Sequence, residues 1–402
     1  MTRRMQFAII RDERSYSACT RSFHSMHNTR QDISPQRILI IRLSSIGDVV
    51  RTLPALSSLR REFPHAHIAW VAEDKSIGIL EGHPHLDEII CFERKTIARS
   101  LKNPLHVHEG LSRLARFLAG IRRGRFDLVF DFHGILKSGL VALWSGAPTR
   151  VGFGRGFVKE SSHIFANRKV RPSDAALPRV ERNLELIRPF VSPENLTDKA
   201  VLGLSGKHRE TAAAFVKQRF GASHPLIGIH PGTSRTIKKW PTRSFAALCD
   251  MLADSLSAKL LLTWGPGEHD KVMQIHSLSK ALPEIGPQTQ SLLELAALLE
   301  QCDLVVTVDS GPMHIASAIG TPVVAIFGPT DIRVNAPYWQ PYKVVSSSMD
   351  CSPCDENCDH TQCMEAVTPE RVFEAVQELV TDARNRFRAH ITKGISGGGV
   401  RS

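Results

Sequence analysis

The sequence contains no uninterrupted apolar run near the roughly 18 residues that span a bilayer, so no segment reads as a membrane-spanning helix. Aromatic residues make up only 6% of the 402 positions, and none lines a basic stretch as a stacking platform for nucleic acid. No G-x-G-x-x-G follows a strand and opens a helix. The nearest candidate, "GFGRG" at 152–156, lacks that context, which disfavours a nicotinamide cofactor. The pattern G-x-x-x-x-G-K-[ST] is absent, which removes the P-loop enzymes. Residues 1–35 lack the long apolar core of a secretory signal. The eight cysteines are therefore not read as a disulfide framework.

What is present is the composition of a globular protein, 42% hydrophobic and 23% charged, long enough for two or more domains. The formal charge is +11, and the basic residues read as dispersed. Such a surface attracts phosphates on sugar, lipid or nucleic acid, and equally describes an ordinary solvated basic surface. Residues 1–35, rich in Arg and Ser and without a period, read as a transit-like segment, a disordered arm or a mis-set start.

From residue 37 onward, aliphatic runs alternate with helical patterns. "RILIIRL", "HIAWVAE", "LDEIICF" and residues 127–132 read as strands, and "ILKSGLVALWSG" as a helix. A second set begins near 225, with strands in "PLIGIHPG", "AKLLLTWGPGEHD", "DLVVTVDSG" and "TPVVAIFGPTD". Residues 179–224 read as helix-rich linking material. Continuous apolar strands joined by helices predict parallel sheets covered on both faces. "DLVFDFHG" and "DLVVTVDSG" are alike, each a strand led by Asp and ending in a polar turn. The pattern predicts two doubly wound α/β domains facing across a cleft. A last helix over about 369–388 is expected to pack back on the body.

Ligands of open α/β sheets bind beyond the carboxyl ends of the strands. The turn "SSIGD", 44–48, lies at such an end. Gly47 permits a close backbone approach. Asp48 reads as a helix N-cap or as a carboxylate base, and the two roles are compatible. A carboxylate at a helix start is a weak base unless substrate or burial raises its pKa. In "DSGPMHIASAIGTP", 309–322, a strand ends at Asp309 and Ser310 and Gly311 turn the chain. Pro312 suits the first helical position and Gly320 the position after the last. That helix start suits a phosphate or diphosphate, with His314 one turn in, a ligand contact or a satisfied core histidine. "HPGTSRTIKKWP", 230–241, supplies Thr233, Ser234 and Lys238, a phosphate-binding set or a polar surface loop. In "TWGPGEHD", Glu268 is placed to accept hydroxyl hydrogen bonds. Arg42 and Lys137, near strand ends of the first half, are candidate contacts for an anionic group or surface cations.

"SSIGDVVRTLPAL", "HPGTSRTIKKWP" and "VDSGPMHIASAIGTPVVAIFGPTD" together resemble glycosyltransferase family 9, the lipopolysaccharide heptosyltransferases, over about residues 36–390. The first motif is more similar to the enzyme type that adds the first heptose than to the type that adds the second. The resemblance implies a GT-B fold with two Rossmann-like domains: 36–200 for the acceptor and 201–368 for the nucleotide sugar, followed by a helix and tail, 369–402. It implies inverting transfer of heptose from ADP-L-glycero-D-manno-heptose to the Kdo/heptose inner core of lipopolysaccharide. The acceptor is of Kdo-lipid A type, and the enzyme is cytoplasmic, at the periphery of the anionic inner membrane. Asp48 matches the catalytic carboxylate. Thr233, Ser234 and Lys238 match the diphosphate contacts, Glu268 the nucleotide loop, and Asp309, Ser310, Gly311 and His314 the D-[ST]-G-x-x-H signature. No catalytic cofactor and no nucleic-acid partner are implied.

"CSPCDENCDHTQC", 351–363, spaces Cys351, Cys354, Cys358 and Cys363 as C-x₂-C-x₃-C-x₄-C, which can close a tetrahedral zinc site or carry redox-active thiols. Two alternatives stand beside the leading reading. One is a GT-B transferase for another nucleotide sugar, the other a basic nucleotide- or nucleic-acid-binding zinc protein.

Overall fold

The computed structural model describes residues 33–221, 225–354 and 360–381. Nearly all of the 1–35 arm, Cys358, and the tail beyond 381 lie outside the described residues.

The first lobe contains strands β1 (Arg37–Ile41), β2 (His67–Glu73), β3 (Glu88–Phe92), β4 (Leu128–Asp131), β5 (Thr149–Phe153) and β6 (Arg168–Val170). Its principal helices are α1 (Ile46–Val50), α2 (Leu53–Glu62), α3 (Arg94–Lys102), α4 (Val107–Arg123), α5 (Leu136–Trp144) and α6 (Arg179–Ile187). The second lobe opens with α7 (Gly206–Phe220). It holds β7 (Leu226–His230), β8 (Lys259–Leu262), β9 (Glu284–Ile285), β10 (Leu304–Val308), β11 (Val323–Phe327) and β12 (Tyr342–Ser346). Its longer helices are α8 (Thr242–Leu256), α9 (His269–Leu278), α10 (Leu292–Glu300), α11 (Gly311–Ala318) and α12, over 369–381.

Every strand pairing is parallel. The sheet orders are β3-β2-β1-β4-β5-β6 and β12-β11-β10-β7-β8-β9. Numbered within each lobe, both read 3-2-1-4-5-6, and the chain reverses direction of growth between the first and fourth strands. The likeness of "DLVFDFHG" and "DLVVTVDSG" has a physical basis, because β4 and β10 hold the same place in their sheets. The leading Asp does the same work in each. Asp127 Oδ2 accepts from the amides of Gln36 and Arg37, at 2.7 and 2.8 Å. Asp303 Oδ2 accepts from the Leu226 amide at 2.7 Å. Each carboxylate ties off the unpaired N–H groups at the start of the lobe's first strand.

The central strands are buried except for Arg37 at the start of β1, which is why they read as continuous apolar runs. The edge strands β6 and β12 are half exposed and polar, and the sequence pattern passed over them. Helices α3 and α4 and strands β5 and β9 were also passed over. The stretch after β1 folds as two helices, α1 and α2, with Pro54 in the first turn of α2.

Helix α7 joins the second lobe through Arg209, which pairs with Glu300 at 2.8 Å. Helix α12 buries Val372, Val376 and Leu379 in that lobe's core, beside Trp240, whose indole donates to the Val367 carbonyl at 2.8 Å. One cluster of buried side chains runs from a face of the first sheet through α2 to α10 and α11, so the lobes share an apolar seam. The other face of the first sheet packs separately under α4 and α5.

Candidate active site

Beyond β1 the backbone stays extended through Ser45, which is the N-cap of α1. Asp48 is therefore not the cap but the third residue of the helix. Its Oδ2 reaches back to the Ser45 amide at 3.4 Å and hydroxyl at 3.1 Å, the arrangement of a capping box. That leaves the carboxylate at the switch point of the first sheet.

Four arginines surround it. Arg42 Nη2 lies 2.5 Å from Oδ2 and Arg51 Nη2 2.7 Å from Oδ1. Arg42 is only 8% exposed, and its Nη1 donates to the Phe132 carbonyl at 2.5 Å. The surface-cation reading of Arg42 is thus corrected, since the strand end carries it into the interior. Arg179 and Arg182, at the start of α6, lie close enough to add their charges. The Nε atoms of Arg42, Arg179 and Arg182 are buried, with no hydrogen-bond partner among the described residues. Arg182 also lies over the rings of Phe153 and Phe157, at 4.8 and 5.2 Å from their centroids. One half-buried carboxylate facing four guanidiniums leaves positive charge in excess, and that excess favours an anionic ligand.

Burial alone would raise the Asp48 pKa, but Arg42, Arg51 and Arg179 outweigh it and hold the carboxyl well below its ordinary 3.8. Burial, partly offset by Asp48, brings Arg179 down to about 10. Nearby Asp131 goes the other way, to about 6, chiefly through burial. It accepts from the amides of His133 and Gly134 and the Ser138 hydroxyl, and so shapes the turn after β4. His133 is pulled down to about 3 by burial and by Arg42, and accepts from the Leu43 amide at 3.1 Å.

In the second lobe, Ser310 caps α11, Pro312 lies in its first turn, and Gly320 follows it at φ +86°. Lys238 Nζ is 2.6 Å from Asp309 Oδ2, which also accepts from the Thr330 hydroxyl at 2.7 Å. The Asp309 carboxylate therefore holds Lys238 in place. Thr233 is half-buried and Ser234 exposed in the loop after β7. Glu268 lies across that loop: a Cβ on Gly232 would overlap its carboxylate, and its Oε2 accepts from the Gly265 amide at 2.8 Å. Lys271, absent from the sequence reading, donates to the Pro231 carbonyl at 2.9 Å, and burial lowers its pKa to about 8.

The two sets meet. A Cβ on Gly47 would overlap His314 Cδ2, and one on Gly311 would stand 3.0 Å from Ile46. The start of α1 thus abuts the start of α11, and Gly47 is needed for close approach, since its φ is not positive. Arg51 reaches the second lobe directly, donating to the Val334 carbonyl at 3.3 Å and to Asn335 at 3.4 Å. His314 is 2% exposed and held neutral, its pKa lowered by burial and by Arg51. Its Nδ1 has no partner among the described residues, so it is not a satisfied core histidine.

Arg51, Arg179 and Arg182 are absent from the sequence reading, which treated 179–224 as linking material. A signal was present: two arginines, i and i+3, open a helix whose positive end ordinarily favours acids. Lys137 is exposed in the first turn of α5 and within electrostatic reach of His133, outside the arginine cluster. Of the cysteine motif, Cys351 is exposed, Cys354 half-buried and Cys363 buried against Gly328. Among the described residues no three side chains converge as metal ligands, and Cys358 lies outside them.

Comparison with known proteins agrees with this geometry. The model of glycosyltransferase family 9 (heptosyltransferase) matches residues 114–365. A lipopolysaccharide heptosyltransferase 1 of Campylobacter coli is 26% identical over 358 residues, covering 86% of this chain and 99% of that protein. The lipopolysaccharide heptosyltransferase 1 of Escherichia coli is 27% identical over 299 residues, covering 73% and 88%. The crystal structure of a family 9 glycosyltransferase from Veillonella parvula superposes with a TM-score of 0.69 at 23% identity, covering 86% and 97%. The E. coli heptosyltransferase WaaC, solved with ADP, superposes at 0.67 and 23%, covering 85% and 99%. Both share the two-lobed GT-B fold.

Proposed function

The chain belongs to glycosyltransferase family 9, and from that premise we propose that this glycosyltransferase moves heptose from ADP-L-glycero-D-manno-heptose to the inner core of lipopolysaccharide, inverting the anomeric centre. The observation that carries the reading is the meeting of Asp48 and its arginines with the start of α11, each at the switch point of its own sheet.

Asp48 is the general base. An acceptor hydroxyl is a poor nucleophile, and the carboxylate takes its proton as the oxygen attacks the anomeric carbon. The bond to the β-phosphate oxygen breaks on the opposite face, and ADP leaves. The negative charge that grows on the diphosphate is met by Lys238, the hydroxyls of Thr233 and Ser234, and the free amides at the start of α11. Asp309 keeps Lys238 aimed at that position. Glu268 and the loop it braces contact the nucleoside. Arg179 and Arg182, with charge to spare, take the acceptor's carboxylates or phosphates. An acceptor anion that draws Arg42 away from Asp48 would also raise the basicity of the carboxylate, which is too weak a base while both guanidiniums hold it.

The donor assignment is tested by thermal stabilisation with ADP, UDP, NAD and short oligonucleotides. ADP alone is expected to raise the midpoint, by mass action on the native state. Stabilisation by UDP instead would favour a transferase for another nucleotide sugar. A transfer assay with ADP-heptose and truncated lipopolysaccharide acceptors, read by product mass, then identifies donor and acceptor together. Lys238→Ala should weaken ADP-heptose binding and lower kcat together, since the lysine acts in both ground and transition states; a change in KM alone would restrict it to binding.

The four-thiolate zinc site is a separate proposal and no step of the transfer passes through it. It requires Cys351 and Cys363, of very different exposure, to converge with Cys354 and Cys358. About one equivalent of zinc in the purified protein is expected if they do. Under a tenth of an equivalent, with four reactive thiols, would reject it.

A further inference from the structure

Helix α5 is apolar on both sides. Val141 and Ala142 face the first sheet, while Leu136, Leu140, Leu143 and Trp144, spaced i, i+4, i+7 and i+8, form an outward stripe. These four are 42 to 52% exposed. Between this stripe and α4 runs an open groove of about 670 Å³, lined by Leu114, Leu118, Leu140 and Trp144, with Arg122 and Lys137 at its margins. The Trp144 indole donates to the Leu118 carbonyl at 2.9 Å and fixes one wall. The apolar surface continues onto α3, α4 and the loop between them through Leu101, Leu105, Val107 and Leu111.

The cations are concentrated here, against the even dispersal read from the sequence. Residues 94–125 contain nine Lys and Arg and one Glu, so they carry +8 of the chain's +11. Arg94 and Arg113 pair with Glu73 and Glu93. Lys95, Arg99, Lys102, Arg116, Arg122, Arg123 and Arg125 are exposed. An apolar patch of this extent calls for an occupant. A second copy docking by two-fold symmetry would bring like charge against like charge. An anionic bilayer answers both features, with phosphates for the cations and acyl chains for the leucines and the tryptophan.

We infer that α3, α4 and α5 form a docking face for the surface of an anionic lipid bilayer, with acyl-chain segments entering the α4–α5 groove. The face belongs to the same lobe as Asp48, and α5 begins at the carboxyl end of β4, beside the arginine cluster. Docking there would hold that lobe against the leaflet from which a lipid-anchored acceptor projects. In that respect the inference rests on the proposed acceptor.

The test is flotation of the full chain with vesicles of phosphatidylcholine, with and without phosphatidylglycerol. Binding only to anionic vesicles, falling with salt, is expected. The double variant Leu140→Glu/Leu143→Glu alters two exposed positions. It should keep its thermal midpoint and lose at least about tenfold in vesicle affinity. Transfer to a deacylated, water-soluble acceptor should be unchanged, while transfer to a vesicle-borne acceptor should show a raised KM. A second variant, Lys95→Glu/Arg99→Glu, should weaken vesicle binding and flatten its salt dependence. Absence of wild-type binding, equal binding by both variants, or a dimer in sedimentation that the leucine variant dissociates would each overturn the docking face. Failure of transfer to every acceptor, with vesicle binding intact, would instead count against the proposed reaction.

Discussion

Asp48→Asn is expected to lower turnover by about 10²- to 10⁴-fold, the usual worth of a positioned general base, with ADP-heptose binding nearly intact. The proposed donor contacts lie in the other lobe and do not pass through the carboxylate. An unchanged rate would remove Asp48 from the mechanism. The same substitution has a structural cost, because Arg42 and Arg51 lose their counter-charge while 8% and 6% exposed. Breaking a buried pair from one side costs about 3–5 kcal/mol, and the lower end applies because the Asp48 side chain is 20% exposed and partly screened. Its folded pKa is depressed, so its stabilisation is complete above the ordinary value of 3.8 and is lost as pH falls below it. The stability gap between wild type and Asp48→Asn should therefore be constant from pH 5 to 8 and close in acid, as followed by thermal unfolding. A gap that widened in acid would contradict the arginine cage. The kcat/KM profile of the free enzyme should likewise show no acid limb near pH 5 from Asp48 itself.

Gly47→Ala is expected to be the second most damaging single change, although it adds one methyl group. That methyl would occupy the position of His314 Cδ2, so α1 and α11 must separate or His314 must move. Either response shifts Asp48 relative to the start of α11, and displacements near 1 Å cost about 10²-fold in rate. The helical backbone of α1 tolerates alanine, so local strain does not explain such a loss. The double variant Gly47→Ala/His314→Ala distinguishes the cause. Removing the imidazole should restore much of the thermal stability and the compact radius of gyration measured by small-angle scattering. Activity need not return, since His314 belongs to the proposed donor cradle. If the double variant is no better than Gly47→Ala, the cross-lobe contact is not what Gly47 serves.

The opposing directions of Asp48 and Asp131 illustrate how little of a site's electrostatics is local. Both acids stand at the carboxyl end of a central strand, Asp48 in the helix that follows β1 and Asp131 as the last residue of β4. Arg42, Arg51 and Arg179 depress the first, whereas burial takes the second to about 6. No spacing rule separates them, because the arginines come from positions 42, 51 and 179.

The sequence alone was sufficient for the two parallel-sheet lobes. Buried parallel strands must be apolar on both faces, and such runs are visible without coordinates. It also sufficed for the strand-end turns that hold Asp48, Lys238 and Asp309–His314, since Ser, Gly, Pro and Asp at those points follow from local backbone requirements. Tertiary structure decided what those residues do to one another. Arg42 became the partner of Asp48 and not a surface cation, Asp309 became the anchor of Lys238, and Gly47 became a point of contact between lobes. It also exposed one side of α5, a helix whose apolar residues alone would have placed it in a core. Lys238 and Asp309, and Gly47 and His314, are tens to hundreds of residues apart in the chain, and Arg42 and Asp48, though six apart, meet only because of the turn between β1 and α1; periodicity and spacing along one chain do not encode such meetings.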